Sequence, residues 1–239
     1  MLAHQDAFLE PAQTDMLYGM IADLIEGKPL AYILRQQSFF GLDFYVTPDT
    51  LIPRPETELL VENAIKWLKG QERETNTCDV GTGSGCIAIS ISKAVKNTRI
   101  IALDNSWKSI LVARENTQRH NLSHRTALLV SDLVECIDLR FDLICANLPY
   151  IPTSTLNILD CLRFEPRSAL DGGDDGLVQI CRLIKQIKNK MNTPGLILIE
   201  FESGQSAQIE HLLRIYFPNQ GYKIINDYGN HPRLAHIAF

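Results

Sequence analysis

The tetrapeptide Asn147-Leu148-Pro149-Tyr150, in the run FDLICANLPYIP, is the part of this sequence best equipped for chemistry. Asn147 brings a carboxamide oxygen, and Leu148 brings a main-chain carbonyl whose rotation the following proline restricts. Together they can accept both N–H bonds of one NH2 group, while Tyr150 offers an aromatic face to a flat substrate. An amide nitrogen is a poor nucleophile because its lone pair is delocalised. Two fixed acceptors turn that lone pair towards an electrophile, such as a sulfonium methyl, and stabilise positive charge growing on nitrogen during in-line displacement. Each bond contributes roughly 1.5–3 kcal/mol as charge develops, or about one to two powers of ten in rate. Taken alone, the four residues also describe a plain turn, because Asn and Pro are common turn formers.

A second group lies upstream. The run CDVGTGSGCIAIS reads as a strand, a glycine turn and a helix start. Gly81, Gly83 and Gly85, with Thr82 and Ser84 between them, allow positive φ and close backbone approach to a ligand. Asp104 follows the next apolar run, 19 residues after Gly85, where a carboxylate can accept both hydroxyls of a ribose. That offset points to an adenosine-containing cofactor. The spacing G-x-G-x-G departs from the dinucleotide fingerprint and disfavours an NAD-dependent oxidoreductase. Asp79 is placed to hold the amino acid end of such a cofactor. Asp132 and Leu133, ending a third run, fall near its adenine, although Asp132 alone would read as a helix cap.

These groups need a scaffold that brings them to one edge. Short apolar runs at Thr77–Val80, Arg99–Leu103, Ala127–Val130, Phe141–Ala146 and Gly195–Phe201 alternate with helical stretches at about 85–96, 106–120 and 174–191. The last helix carries Leu177, Ile180, Ile184, Ile187 and Met191 on one face, with Asp174 or Asp175 as its cap. Continuous apolar strands between helices predict an α/β doubly wound, mostly parallel sheet. Tyr222–Ile225 and Leu234–Phe239 can close it as an antiparallel pair. Ahead of the sheet, helical spacing over about 14–27 ends at Gly27 and Pro29. A β-hairpin follows over Gln37–Val46 around Gly41, then an ordered loop Thr47–Pro55 and a helix Glu56–Lys69.

Bulk properties narrow the class. The chain has 28 acidic and 23 basic residues, a formal charge of −5, which is not the electrostatic footprint of a general nucleic-acid binder. The six cysteines Cys78, Cys86, Cys136, Cys145, Cys161 and Cys181 form no C-x-x-C pair, so most of them read as small core residues in a reducing compartment rather than zinc ligands. His120, His124, His231 and His236 lie beside no candidate nucleophile. No signal-like n-region opens the chain and no apolar run reaches bilayer length, so a cytosolic location is expected.

With both motifs placed, the chain resembles the release factor glutamine-N5 methyltransferases, the HemK/PrmC family, from about Gly27 to the C-terminus. The resemblance rests on GKPLAYIL, FFGLDFYVTPDTLIPRPETELLVE, CDVGTGSGCIAIS, ALDNS, RFEPRSALDGGDDGL and DYGNHPR, with LIPRPETE the most specific piece. It implies a class I S-adenosylmethionine-dependent methyltransferase fold, Rossmann-like, with a seven-stranded mostly parallel sheet and an antiparallel terminal hairpin. The implied division is a helical segment 1–29, a hairpin and lid loop 30–55, and the methyltransferase domain 56–239. Gly81, Thr82, Gly83, Ser84, Gly85, Asp104, Asp132, Leu133 and Asn147 would contact S-adenosylmethionine. Asn147, Leu148, Pro149 and Tyr150 would bind and activate the glutamine of the Gly-Gly-Gln loop of class I peptide chain release factors. Arg54 and Glu56 would order the lid, or form only a surface ion pair. A monomer without metal is expected. Two departures stand out. Leucine replaces the usual proline at position 148, which keeps the carbonyl but makes the motif shared with rRNA adenine-N6 dimethyltransferases, the alternative reading. Only about 27 residues precede the region of resemblance, where the family has a fuller helical domain that helps dock the release factor.

Overall fold

The computed structural model describes residues 9–159 and 162–239, so Cys161 lies outside the described residues. Helix α1 (Pro11–Ile25) starts with proline at a first-turn position, where its missing N–H costs nothing, and buries none of its residues. A short α2 (Leu30–Leu34) leads into a hairpin of β1 (Gln36–Phe39) and β2 (Leu42–Tyr45), in register Phe39 opposite Leu42. A 3-10 turn at Pro55–Thr57 then runs into α3 (Glu58–Lys69).

The remainder is a wound sheet: β3 (Thr75–Val80), α4 (Cys86–Ala94), β4 (Thr98–Asp104), α5 (Trp107–Arg119), β5 (Thr126–Val130), β6 (Phe141–Ala146), α6 (Thr153–Leu156), α7 (Val178–Ile187), β7 (Met191–Glu200), α8 (Ser206–Tyr216), β8 (Gly221–Asn226) and β9 (Pro232–Ala238). Seven strands lie in the order β5-β4-β3-β6-β7-β9-β8, parallel except where β9 pairs with β7 and β8. This is the class I methyltransferase arrangement expected from the sequence. Both faces of the central strands are apolar. Val80, Ile144, Ala146, Ile197 and Ile199 pack on one side with α7 and α8. Leu143, Cys145, Leu196, Leu198 and Ala102 pack on the other with α3 and α4. Burial on both faces is why these strands read as unbroken apolar runs.

Three details differ from the sequence expectation. Helix α7 begins at Val178, and its N-cap residue Leu177 makes no side-chain cap. Asp175 instead accepts from the Leu177 N–H at 2.9 Å, spending its carboxylate on the turn before the helix. Met191 opens β7 rather than closing α7. Helix α8 was not expected, although Ile209, Leu212, Leu213 and Tyr216 carry helical spacing.

Candidate active site

Parallel register puts the chemical residues in one row. Val80 pairs with Leu103 and with Ala146, and Ala146 pairs with Ile199. The next residue on each strand is therefore Gly81, Asp104, Asn147 and Glu200, side by side at the carboxyl edge of the sheet. The chain passes from β3 to β4 on one side and from β6 to β7 on the other, so the crevice between β3 and β6 lies at the topological switch point, where open α/β sheets bind ligands.

The glycine turn is shaped by its own hydrogen bonds. Gly81 and Thr82 both donate to the Leu103 carbonyl at 2.8 Å, and Gly85 donates to Thr82 at 2.8 Å. Gly81, Gly83 and Gly85 all have positive φ. A Cβ on Gly81 would stand 3.0 Å from Leu148 Cδ2 and 3.5 Å from the Asn147 carbonyl oxygen, so the turn and the tetrapeptide are in direct contact. A Cβ on Gly83 would meet nothing within 4 Å.

A cavity of about 970 Å³, counting its open mouth, occupies this edge. Its floor is Gly81, Thr82, Gly83, Ser84 and Asp104; Asp132 and Leu133 stand on one side, Asn147, Leu148 and Pro149 on the other. The loop before α3 covers it with Asp49, Thr50, Leu51, Pro53, Arg54 and Thr57. Gly85, Tyr150 and Asp79, named from the sequence, do not line the cavity. Gly85 sits one step back, as the left-handed N-cap of α4 packed on Ile89 and Ala113. Tyr150 turns its hydroxyl towards Glu200, 3.5 Å from Oε1, and packs against the core.

Asp104 spends one lone pair of each oxygen on the chain: Oδ2 accepts from Gly83 N–H and Oδ1 from Ser106 N–H, both at 2.9 Å. Burial raises its pKa, and these N–H groups pull against that. A carboxylate oxygen retains a second lone pair, so capacity remains for two ligand hydroxyls. Asp79 is held by the chain through one oxygen only, and its buried Oδ1 makes no hydrogen bond among the described residues. It is fully buried, and its Oδ2 takes the Thr82 hydroxyl at 2.6 Å and the Ala88 N–H at 3.2 Å, bracing the glycine turn from behind. Burial lifts its pKa to about 7. Asp132 is ion-paired to Arg182 at 2.6 Å, and Leu133, beside it in the lining, holds a positive φ of 54°.

Asn147 donates from Nδ2 to Thr57 Oγ1 at 2.9 Å. Among the described residues neither Asn147 Oδ1 nor the Leu148 carbonyl accepts a hydrogen bond. Two acceptors from adjacent residues thus stand open at the cavity wall.

Sequence reasoning missed the residues that hold the lid. Glu165, buried, accepts from Arg54 and from the Ile52 N–H at 3.2 Å, so Arg54 pairs with it and not with Glu56. Asn116, fully buried in α5, exchanges hydrogen bonds with the Tyr45 backbone (2.7 and 2.9 Å) and donates to the Ser84 carbonyl at 2.8 Å, joining hairpin to glycine turn. A neutral Asn facing the apolar side of a helix was the available signal for that tie.

Comparison with known proteins places this geometry. The family model described as "Methyltransferase small domain" matches residues 55–164. A release factor glutamine methyltransferase of Geobacter sulfurreducens is 38% identical over 85% of this chain and 71% of that protein. Another, from Moorella thermoacetica, is 36% identical over 98% of this chain and 83% of that protein. The chain belongs to the release factor glutamine methyltransferase family. A solved ribosomal protein L11 methylase from Lactobacillus delbrueckii subsp. bulgaricus, 22% identical, superposes with TM-score 0.58 over 81% of this chain and 83% of its own, and shares the fold. Among the described residues no helix is long and apolar enough to cross a membrane, and no His, Cys, Asp and Glu cluster could hold a metal ion.

Proposed function

We propose that the chain transfers a methyl group from S-adenosylmethionine to the side-chain N5 of the glutamine in the Gly-Gly-Gln motif of class I peptide chain release factors, working as a cytosolic monomer on protein rather than on nucleic acid. The observation that carries the chemistry is the pair of open acceptors, Asn147 Oδ1 and the Leu148 carbonyl, in the same cavity as the glycine turn.

The cavity fits the cofactor. Gly83 faces open space, Asp104 keeps lone pairs for ribose hydroxyls, and Asp132 with Leu133 supplies a polar edge and an apolar face for adenine. Gly81, Thr82, Ser84 and Gly85 shape the turn that would receive the amino acid end, next to Asn147. S-adenosylmethionine, when bound, supplies an electrophilic methyl on a positively charged sulfur.

Asn147 and Leu148 fix the two N–H bonds of the glutamine amide and leave its lone pair pointing across the cavity. Their oxygens gain strength as the nitrogen becomes positive, which is differential stabilisation of the transition state. Pro149 limits the rotation of Leu148, and Tyr150 anchors the segment against the core behind it. The loop 47–55, read as the lid of a hairpin unit 30–55, excludes water that would otherwise compete for both acceptors. The proton lost from the methylated nitrogen is acidic enough to leave to solvent, so no strong base is required.

Incubation of the protein with labelled S-adenosylmethionine, separately with a class I release factor and with rRNA, tests the reading. Label is expected in the release factor. Label in RNA alone would instead support the adenine-N6 alternative, which gains no support from relatives named for release factor glutamine.

A further inference from the structure

Glu200 ends the apolar strand β7 directly beside Asn147 in the row of strand ends, yet nothing in the proposed chemistry uses it. It is almost wholly buried, at 1% exposure. Its Oε1 faces the Tyr150 hydroxyl at 3.5 Å, and its Oε2 makes no hydrogen bond among the described residues. The Thr57 hydroxyl neighbours the same carboxyl and favours its charged form as a donor. Thr57, itself 2% exposed, is also the acceptor for Asn147 Nδ2 at 2.9 Å. The side chains thus run Asn147, Thr57, Glu200, Tyr150 from cavity wall to core.

A carboxamide is nearly symmetric in shape, and only its hydrogen-bond partners decide which end is oxygen. We propose that Glu200, acting through the Thr57 hydroxyl, fixes which way round the Asn147 carboxamide sits, so that its oxygen and not its NH2 group meets the substrate nitrogen. The proposal rests on the reading of Asn147 as an acceptor for the target amide. An ionised Glu200 accepts only, so the Thr57 hydrogen points to it and Thr57 offers Asn147 lone pairs alone. Asn147 must then present Nδ2 to Thr57 and Oδ1 to the cavity. A protonated Glu200 can donate to Thr57, whose hydrogen is freed to point at Asn147. The flipped carboxamide then becomes acceptable, with NH2 opposed to NH2 across the substrate position. Thr57 and Glu200 are positioning residues: neither need touch the substrate.

The surroundings make this a balanced device. Burial raises the Glu200 pKa and Glu56 on the 3-10 turn adds to this, while the Thr57 and Tyr150 hydroxyls and Arg233 on β9 pull it down, leaving it at about 7. Cys86, the first residue of α4, is pushed up to about 12 by burial first and Asp79 next, with only a small addition from Glu200. Arg233 is itself paired to Asp227 at 3.4 Å, so it is not a full counter-ion for Glu200.

The test uses the full chain labelled with nitrogen-15, bound to S-adenosylhomocysteine, with the Asn147 side-chain NH2 signals identified by their loss in Asn147→Ala. Titration from acid to alkaline pH should move these signals with one midpoint near 7 in the native protein, and Glu200→Gln should abolish that movement. In parallel, kcat/KM for the release factor should fall on the acid side with the same midpoint, and this limb should vanish in Glu200→Gln. Thr57→Val should lower kcat about ten-fold or more with KM for S-adenosylmethionine little changed, and Thr57→Ser should restore most of the loss. Asn147 signals that stay put, or that titrate equally in Glu200→Gln, would overturn the proposal, as would Thr57→Val with full kcat. The resonance arm needs no substrate. A native protein that methylates something else would therefore overturn the substrate reading alone.

Discussion

Replacing Gly81 and Gly83 separately with alanine separates what holds the site together from what binds in it. Gly81 has φ of 75°, and an added methyl would lie 3.0 Å from Leu148 Cδ2. The left-handed conformation costs an L-residue about 1–2 kcal/mol. Overpacking against Leu148, only 4% exposed, adds about 1–3 kcal/mol because the tip has little room to move. Gly81→Ala should therefore lose about 2–5 kcal/mol of stability, lowering Tm by roughly 5–15 °C in a domain of this size. Gly83 has φ of 55° and no heavy atom within 4 Å of the added methyl. Gly83→Ala should lose only about 1 kcal/mol of stability. That methyl enters space assigned to the cofactor, so affinity for S-adenosylmethionine should fall at least about ten-fold, equivalent to roughly 1.4 kcal/mol. Denaturant unfolding of the ligand-free proteins and calorimetric titration with S-adenosylmethionine measure both quantities. A Gly83→Ala protein with native cofactor affinity would refute the assignment of this cavity. Equal instability of the two variants would refute the contact between turn and tetrapeptide.

Three further outcomes are expected. Asn147→Ala should reduce kcat about 100-fold or more while cofactor affinity changes less than about three-fold, measured by single-turnover transfer and by titration; an active variant contradicts the two-acceptor clamp. Glu165→Ala removes the acceptor shared by Arg54 and Ile52 N–H, so the lid should loosen; faster hydrogen exchange at Ile52 and about three- to ten-fold weaker cofactor binding are predicted, and unchanged exchange would show that other contacts hold it. Asp142 is pushed up by burial, but Arg73, the Asn76 N–H and Asn192 more than offset this and leave its pKa lowered. Its contribution is accordingly present above the ordinary carboxylate range, near 3.9, and is lost as pH falls through the lower folded value. Asp142→Asn should cost about 1.5–3 kcal/mol near neutrality and flatten the acid loss of stability in denaturant titrations, and an unchanged acid profile would place that loss elsewhere.

The strand pattern was legible because each central strand is apolar on both faces, and the glycine turn and tetrapeptide were legible because their residue types are unusual at strand ends. Once the strands are parallel, register alone brings Gly81, Asp104 and Asn147 together. The supports were not legible. Thr57 and Asn147 are 90 positions apart, and Arg54 and Glu165 are 111 apart, so no local spacing links them. Glu200 fell within the expected strand Gly195–Phe201, and only its neighbours across the sheet reveal a buried carboxylate behind the site. The bracing part of Asp79 was likewise not legible: its Oδ2 takes two intramolecular donors behind the turn, while its buried Oδ1 makes no hydrogen bond among the described residues. The start of α7 was displaced because Asp175 serves either a cap or a turn equally well in sequence, and the backbone chose the turn.

The central claim is that two oxygens present one amide nitrogen to a methyl donor. Tandem mass spectrometry of a class I release factor after reaction tests it most directly, since fragmentation locates the added group. The account predicts a single methyl on the side-chain nitrogen of the Gly-Gly-Gln glutamine, absent when Asn147→Ala replaces the native protein. A methyl on any other residue, or transfer to that glutamine undiminished in Asn147→Ala, would contradict it.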